Sequence, residues 1–299
     1  MAQRKEMVNR RKAFRAAYLE LTNVCNGNCA FCPGTTREPC FMDPFLFRRL
    51  AKETAPLAEI AYLHVMGEAL LHPEFPSLME TALEHHLMTG LTTNGTLFDT
   101  PNAEALFCGC FRQVNVSLHA GITNEKLEQV IGFTKEAFRR VPGLYVNYRF
   151  WNIGEAEERT KECLALIEDR FGVHCIYPEL PEHSSQNLLK RLYLNFDTSF
   201  TWPDLSAPPV PEPAFCHGIR NQFAVLADGQ VTACCLDHNG DIELGDANQD
   251  SLRKILSNAR SNAMRRAFQE GRASEELCRH CTYRVQRFGF RQGMSFPCR

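Results

Sequence analysis

Six short apolar runs, separated by stretches with helical spacing, occupy the first 180 residues, and this alternation constrains the fold more than any other feature of the chain. The runs are 16–21, 60–66, 88–93, 113–118, 144–150 and 173–177, and they read as strands of a parallel sheet buried on both faces. Between them, 44–54, 75–86, 102–107, 124–140 and 156–171 carry helical periodicity, the last with Leu164, Ile167 and Phe171 on one side. The pattern predicts an α/β fold, a parallel sheet with crossover helices that is either open or closed into a barrel.

After Glu179 the alternation stops. Residues 180–215 are irregular and end in Pro208, Pro209, Pro211 and Pro213, which marks a boundary. A second unit begins near Cys216: the runs 223–226 and 231–235 flank Ala227-Asp228-Gly229-Gln230, whose Asp-Gly suits a β-hairpin turn, and two helical segments follow at 251–258 and 260–270.

Charge excludes some functions. With 33 Lys and Arg against 35 Asp and Glu the formal net charge is -2, so no global basic field recruits nucleic acid or an anionic membrane. The basic residues 1–15 read as a solvated N-terminal extension. No run approaches the roughly 18 apolar residues needed to span a bilayer, and no secretion signal precedes the strands, so a cytoplasmic location is expected. In that reducing compartment the 14 cysteines point to metal ligation rather than disulfides.

The first cysteine constellation stands at the end of the first predicted strand: Cys25-Asn26-Gly27-Asn28-Cys29-Ala30-Phe31-Cys32-Pro33. Three thiolates in one short loop reach three corners of an iron–sulfur cube and leave the fourth iron open to a substrate or cofactor. Ferredoxin runs use other spacings, and zinc sites favour paired knuckles that close four-coordinate. Gly27 and its Asn neighbours tolerate the positive φ such a loop needs.

At these residues the chain resembles the radical S-adenosylmethionine (SAM) superfamily, whose CxxxCxφC signature has an aromatic at φ, here Phe31. The resemblance implies that the open iron chelates the amino and carboxylate groups of SAM. An electron then cleaves the sulfonium to methionine and a 5'-deoxyadenosyl radical, which abstracts a substrate hydrogen. It continues at later strand ends, where a parallel α/β sheet binds ligands. Met66-Gly67-Glu68-Ala69 is similar to the family's GGEP segment, with Met and Ala departing from it, and implies that Glu68 grips the SAM amine. Thr92-Thr93-Asn94-Gly95 resembles its TNG turn, Ser117-Leu118-His119 the polar end of its fourth strand, and Arg149 an arginine for the SAM carboxylate. His64 reads as a packed strand residue rather than a ligand.

The second constellation is Cys216, then Gly229 and Cys234 in a C-x12-G-x4-C pattern, then the knuckle Cys278-Arg279-His280-Cys281. Four thiols so arranged close around either zinc or a fully ligated [4Fe–4S] cube. The pattern is similar to the SPASM and Twitch extensions of radical SAM enzymes; after Cys281 only Cys298 remains, which resembles the one-cluster Twitch. Cys235 reads as a substitute ligand, a redox thiol or a packed partner. Cys163 and Cys175 read as core thiols, and Cys40, Cys108 and Cys110 fit neither constellation.

The expected organisation is a basic extension (1–14), a partial (β/α)6 barrel (15–195), a linker (196–215), a Twitch-type domain (216–285) and a tail (286–299) with Cys298 among Phe288, Phe290 and Phe296. The resemblance implies two [4Fe–4S] clusters, SAM, and an electron donor such as flavodoxin or ferredoxin. Its substrates are small hydroxylated molecules (aminocyclitols, sugars, nucleosides) or peptide side chains, and without a visible leader-binding domain the small molecule is favoured. Two rivals stand beside it: a non-catalytic zinc or iron–sulfur module, and an electron-transfer protein whose first cluster Cys40 would complete.

Overall fold

A computed structural model describes residues 12–118, 122–154, 156–177, 184–213 and 215–288. His119, Cys298 and the tail beyond 288 lie outside the described residues, as do residues 1–11. In chain order the elements are β1 (Phe14–Leu19), α1 (Pro44–Thr54), β2 (Ala58–Tyr62), α2 (Phe75–Glu84), β3 (Thr89–Thr93), α3 (Pro101–Glu104), β4 (Phe111–Ser117), α4 (Asn124–Arg140), β5 (Tyr145–Phe150), α5 (Glu157–Phe171), β6 (Ser184–Leu189), β7 (Leu192–Phe196), β8 (Gln222–Val225), β9 (Gln230–Thr232), β10 (Gly245–Asp246), α6 (Leu252–Leu256), α7 (Ala259–Gln269), α8 (Glu276–Arg279) and α9 (Thr282–Phe288).

All ten strands form one sheet in the order β10-β9-β8-β1-β2-β3-β4-β5-β7-β6. Six neighbours, β1 to β5 and then β7, run parallel. The sixth of these is Leu192–Phe196, not 173–177 as the apolar run suggests. Residues 173–177 follow Gly172, whose φ of 65° ends α5, and they form no strand; Ile176 is left 62% exposed. Strand β7 escapes the reading because it alternates: Leu192, Leu194 and Phe196 are buried while Tyr193 and Asn195 are not. Its antiparallel partner β6 is joined to it through Lys190, at φ 44°.

Local chemistry sets the helix starts. Asp43 caps α1 by accepting from the N–H groups of Phe45 and Leu46, with Pro44 in the first turn, and Thr123 and Asn258 cap α4 and α7 in the same way. The helices bury Phe47, Leu50, Phe75, Leu127 and Val130 against the sheet in one continuous core. Strand alternation then decides what faces the other way. In β4, Val114 and Val116 are in the core while Gln113, Asn115 and Ser117 point across it; in β5, Val146, Tyr148 and Phe150 are core while Asn147 and Arg149 are opposite.

The C-terminal hairpin joins the same sheet. Strand β8 pairs in parallel with β1, and Gly229, at φ 98°, forms the turn into β9. Buried Glu20, directly after β1, ties the junction together: its carboxylate accepts from Met66 N (3.0 Å), Ala227 N (2.9 Å) and Arg37 Nη2 (2.6 Å). A glutamate inside Leu19-Glu20-Leu21 is the sequence signal for it. Among the described residues no helix is long and apolar enough to cross a membrane.

Candidate active site

The carboxyl ends of the parallel strands surround a cavity of about 820 Å3. Cys25, Cys29 and Cys32 line it together with Phe31, Gly67, Glu68, Asn94, Ser117 and Arg149, so every sequence-predicted residue of the first site meets in one place. Cys40 is not among the lining residues; its thiol donates to the Phe41 carbonyl.

The loop that carries the cysteines is fixed from both sides. Thr22 Oγ1 donates to the Cys40 carbonyl (2.7 Å), and Asn23 exchanges bonds with Glu38 O and Cys40 N. Toward the C-terminal unit, Thr35 Oγ1 and Thr36 N donate to Asn239 Oδ1 (3.0 and 3.1 Å), and Arg37 Nε to the His238 carbonyl (2.9 Å). Gly27 N points at Cys25 Sγ (3.3 Å), a donor that suits a thiolate. Burial pushes the Cys25 and Cys29 thiols up, as expected of sites that ionise only on binding metal.

Gly67 allows this loop to close on β2. Its φ is 74°, and a Cβ there would lie 2.2 Å from the Thr22 carbonyl oxygen. Gly67→Ala is therefore expected to cost at least about 2 kcal/mol of stability and to loosen the cysteine loop. Thermal unfolding checks it; an unchanged midpoint would contradict the close approach.

Glu68 is buried, and its carboxylate accepts from Leu70 N (3.2 Å), Thr93 Oγ1 (2.9 Å) and Asn94 N (2.8 Å). Burial raises its pKa against the pull of those donors. A carboxylate has about four acceptor sites, so one remains for an ammonium group. Asn94 Nδ2 in turn bonds Asn26 Oδ1 (2.8 Å) in the cysteine loop. Arg149 donates weakly to Thr92 Oγ1 (3.4 Å), stacks on Trp151 at 3.5 Å, and pairs with no carboxylate among the described residues; burial lowers its pKa to about 10.

Sequence reasoning missed the floor. Register places Thr92 beside Asn115, Asn115 beside Asn147, and Arg149 beside Asn195. Asn147 Nδ2 donates to Asn115 Oδ1 (2.6 Å), and Asn115 Nδ2 to Thr92 Oγ1 (3.2 Å). The signal was present as polar residues at every second position of apolar strands. His64 lies in the wall with its ring edge against Tyr18 and Tyr62; burial and Arg149 lower its pKa to about 3, and its buried Nδ1 has no hydrogen-bond partner among the described residues.

A second cavity, of about 260 Å3, is lined by Cys216, Cys234, Cys278 and Cys281, with Cys235 in the wall shared with the first. Burial raises all four thiols, that of Cys216 to about 11, while the Arg284 charge opposes it at Cys216, Cys278 and Cys281. Gly218 N points at Cys216 Sγ (3.3 Å). Four thiols lining one cavity suit either a tetrathiolate zinc or an iron–sulfur cube. Among the described residues no three His, Cys, Asp or Glu side chains converge on a single-ion site.

Of the remaining cysteines, Cys163 and Cys175 are buried in the core; Cys108 and Cys110 sit before β4, their sulfurs 3.1 Å apart.

Comparison with known proteins agrees with this layout. Residues 19–144 match the Radical SAM superfamily and residues 216–282 the SPASM iron–sulfur cluster-binding domain. A tungsten-containing aldehyde ferredoxin oxidoreductase cofactor-modifying protein of Pyrococcus furiosus is 26% identical over 186 residues, 55% of this chain and only 52% of that relative, about half its length. The S-adenosyl-L-methionine-dependent 2-deoxy-scyllo-inosamine dehydrogenase of Niallia circulans is 21% identical, covering 90% of this chain and 93% of its own. Among solved structures, BtrN in complex with AdoMet and 2-DOIA superposes with a TM-score of 0.58 (18% identity, 91% of this chain and 94% of that one). Streptococcus suis SuiB bound to S-adenosylmethionine gives 0.59 (15% identity, 85% and 68%).

Proposed function

We propose, from the premise that this chain belongs to the radical SAM superfamily and carries a SPASM-type iron–sulfur domain, that it is an oxidoreductase acting on a small hydroxylated molecule. Its cofactors are SAM, a SAM-binding [4Fe–4S] cluster and an auxiliary cluster. When bound, the first cluster supplies the electron that converts SAM to methionine and a 5'-deoxyadenosyl radical, the species that takes hydrogen from substrate.

The residues divide the work. Cys25, Cys29 and Cys32 would hold the first cluster and leave an open site for SAM, since Cys40 is not among the residues lining the cavity. Arg149, a half-buried cation with no carboxylate partner among the described residues, meets the SAM carboxylate, and the last acceptor site of Glu68 meets its ammonium. Asn94, Ser117, Gly67 and the ring of Phe31 shape the same wall. Cys216, Cys234, Cys278 and Cys281 would hold the auxiliary cluster, which would supply a redox centre in the cavity that shares Cys235 with the first. An electron donor of the flavodoxin or ferredoxin kind supplies the first electron.

One observation carries the substrate class: the floor of carboxamides at Gln113, Asn115, Asn147 and Asn195, groups that both donate to and accept from hydroxyls. The Asn147 carbonyl accepts no hydrogen bond from the described residues. The cavity of about 820 Å3 would have to hold the first cluster and SAM beside the substrate, and the room left suits a small molecule. The 2-deoxy-scyllo-inosamine dehydrogenase relationship supports the same class. The test is anaerobic reconstitution with ring-deuterated aminocyclitols: deuterium should appear in 5'-deoxyadenosine alongside a ketone product. Deuterium transfer from peptides alone would overturn the small-molecule reading.

Replacing Arg149 with Met should weaken SAM binding about 10- to 150-fold, the loss of a charge-assisted contact of about 1.5–3 kcal/mol, with iron unchanged. Glu68→Gln should lose SAM affinity and stability together, because that carboxylate also holds Thr93 and Asn94. Equilibrium dialysis with labelled SAM separates the two; unchanged affinity in both variants would refute the assignment.

A further inference from the structure

We propose that Arg284 donates hydrogen bonds to the auxiliary cluster and holds that cluster at a higher reduction potential than its four thiolates alone would give. The inference rests on the reading of the second cavity as a cluster site.

Arg284, on α9, lines that cavity and is 1% exposed. Its Nε, Nη1 and Nη2 are all buried and have no hydrogen-bond partner among the described residues. The one carboxylate near it, Glu212, is 3.9 Å from Nη1, beyond hydrogen-bond reach. Two other buried or half-buried charge pairs among the described residues are closed: Glu20 accepts three hydrogen bonds, one of them from Arg37, and Arg287 on the same helix is 2.9 Å from Asp197. Asp237, the one carboxyl among the residues that line the cavity, accepts from Asp241 N (2.8 Å) and Ile242 N (2.9 Å).

A guanidinium with five donors and no acceptor is among the most costly groups to bury unpaired. The missing partner must lie where the donors can reach, and the cavity that Arg284 lines also holds the four cysteine thiols, three of which (Cys216, Cys278 and Cys281) feel its charge. An iron–sulfur cube held by four thiolates supplies what the arginine lacks: net negative charge and sulfur acceptors. Its potential follows net charge, hydrogen bonds to sulfur and exposure. Reduction adds one negative charge to the cube, so a buried cation beside it favours the reduced form. The result is a better acceptor for an electron leaving a substrate radical. Arg284 is thus a positioning and tuning residue, not one that touches substrate.

The decisive comparison uses full-length protein with Cys25, Cys29 and Cys32 replaced by alanine, so that one cluster remains, in a redox titration followed by electron paramagnetic resonance. Arg284→Met should lower the midpoint by at least about 59 mV, a tenfold change in a one-electron equilibrium, with iron content unchanged. Arg284→Lys keeps the charge with three donors and should fall between; it carries the comparison if the methionine variant does not fold. Thermal unfolding gives a second readout. Without metal the methionine variant should be more stable than the parent, because an unpaired charge has gone, and with the cluster loaded it should be less stable. A merely structural arginine would shift both forms in the same direction. Equal midpoints, or parallel stability shifts, would overturn the inference. Iron analysis that finds no second cluster would instead overturn the underlying reading of the cavity.

Discussion

Alanine at Cys25, Cys29 and Cys32 together should reduce 5'-deoxyadenosine formation to background and lower iron from about eight to about four per chain. The three thiols share one loop and one cavity; Cys40 and the core cysteines are not among the lining residues, and Cys235, the one further lining thiol, cannot replace three ligands by itself. The protein should nevertheless fold. The loop is held by Thr22, Asn23, Asn94 and Asn239 through bonds that do not involve sulfur, and the core beneath it is continuous across the sheet. Anaerobic reconstitution, iron and sulfide analysis and chromatographic assay of 5'-deoxyadenosine read the outcome. Nucleoside formation unchanged from the parent would mean that the radical cluster is held elsewhere.

The parts of the molecule that were legible in its sequence are those specified locally. A tri-cysteine loop states its own chemistry through spacing, and the apolar runs of β1 to β5 declare buried strands because helices cover one face and a closed site the other. What stayed hidden depends on register. Asn115, Asn147 and Asn195 each look like an ordinary polar residue in a strand; only lateral pairing puts them side by side. Strand β7 was overlooked for the same reason, since its alternation reflects one wall in the core and one in the cavity, whereas residues 173–177 have strand composition but no partner. Arg284 could not be found from sequence at all. It sits three residues after Cys281 among other arginines such as Arg279 and Arg287, and its burial without a hydrogen-bond partner distinguishes it.

Loss of the auxiliary cluster should uncouple the two halves of the reaction. Of its four expected ligands, Cys234 is the wrong one to remove. The chain from Cys234 runs through His238 and Asn239, which hold Arg37, Thr35 and Thr36 in the cysteine loop of the first site, so a change there disturbs both clusters. Cys278 and Cys281 stand on α8 and after it, where the recorded bonds run to the linker, such as Val210 N to Arg279 O (2.7 Å), and not to the loop at 22–41. Alanine at both should bring iron to about four per chain, leave 5'-deoxyadenosine formation within about twofold of the parent, and abolish the oxidised product. Radical formation needs only the first cluster, whereas removing the second electron from the substrate needs an acceptor within reach, and zinc has no redox state with which to serve. The Cys234→Ala variant should lose both activities, which distinguishes mechanical coupling through Asn239 from electron transfer through the second cluster. Anaerobically purified parent protein containing one zinc and only about four irons would sink this account and make the four C-terminal cysteines a structural knuckle.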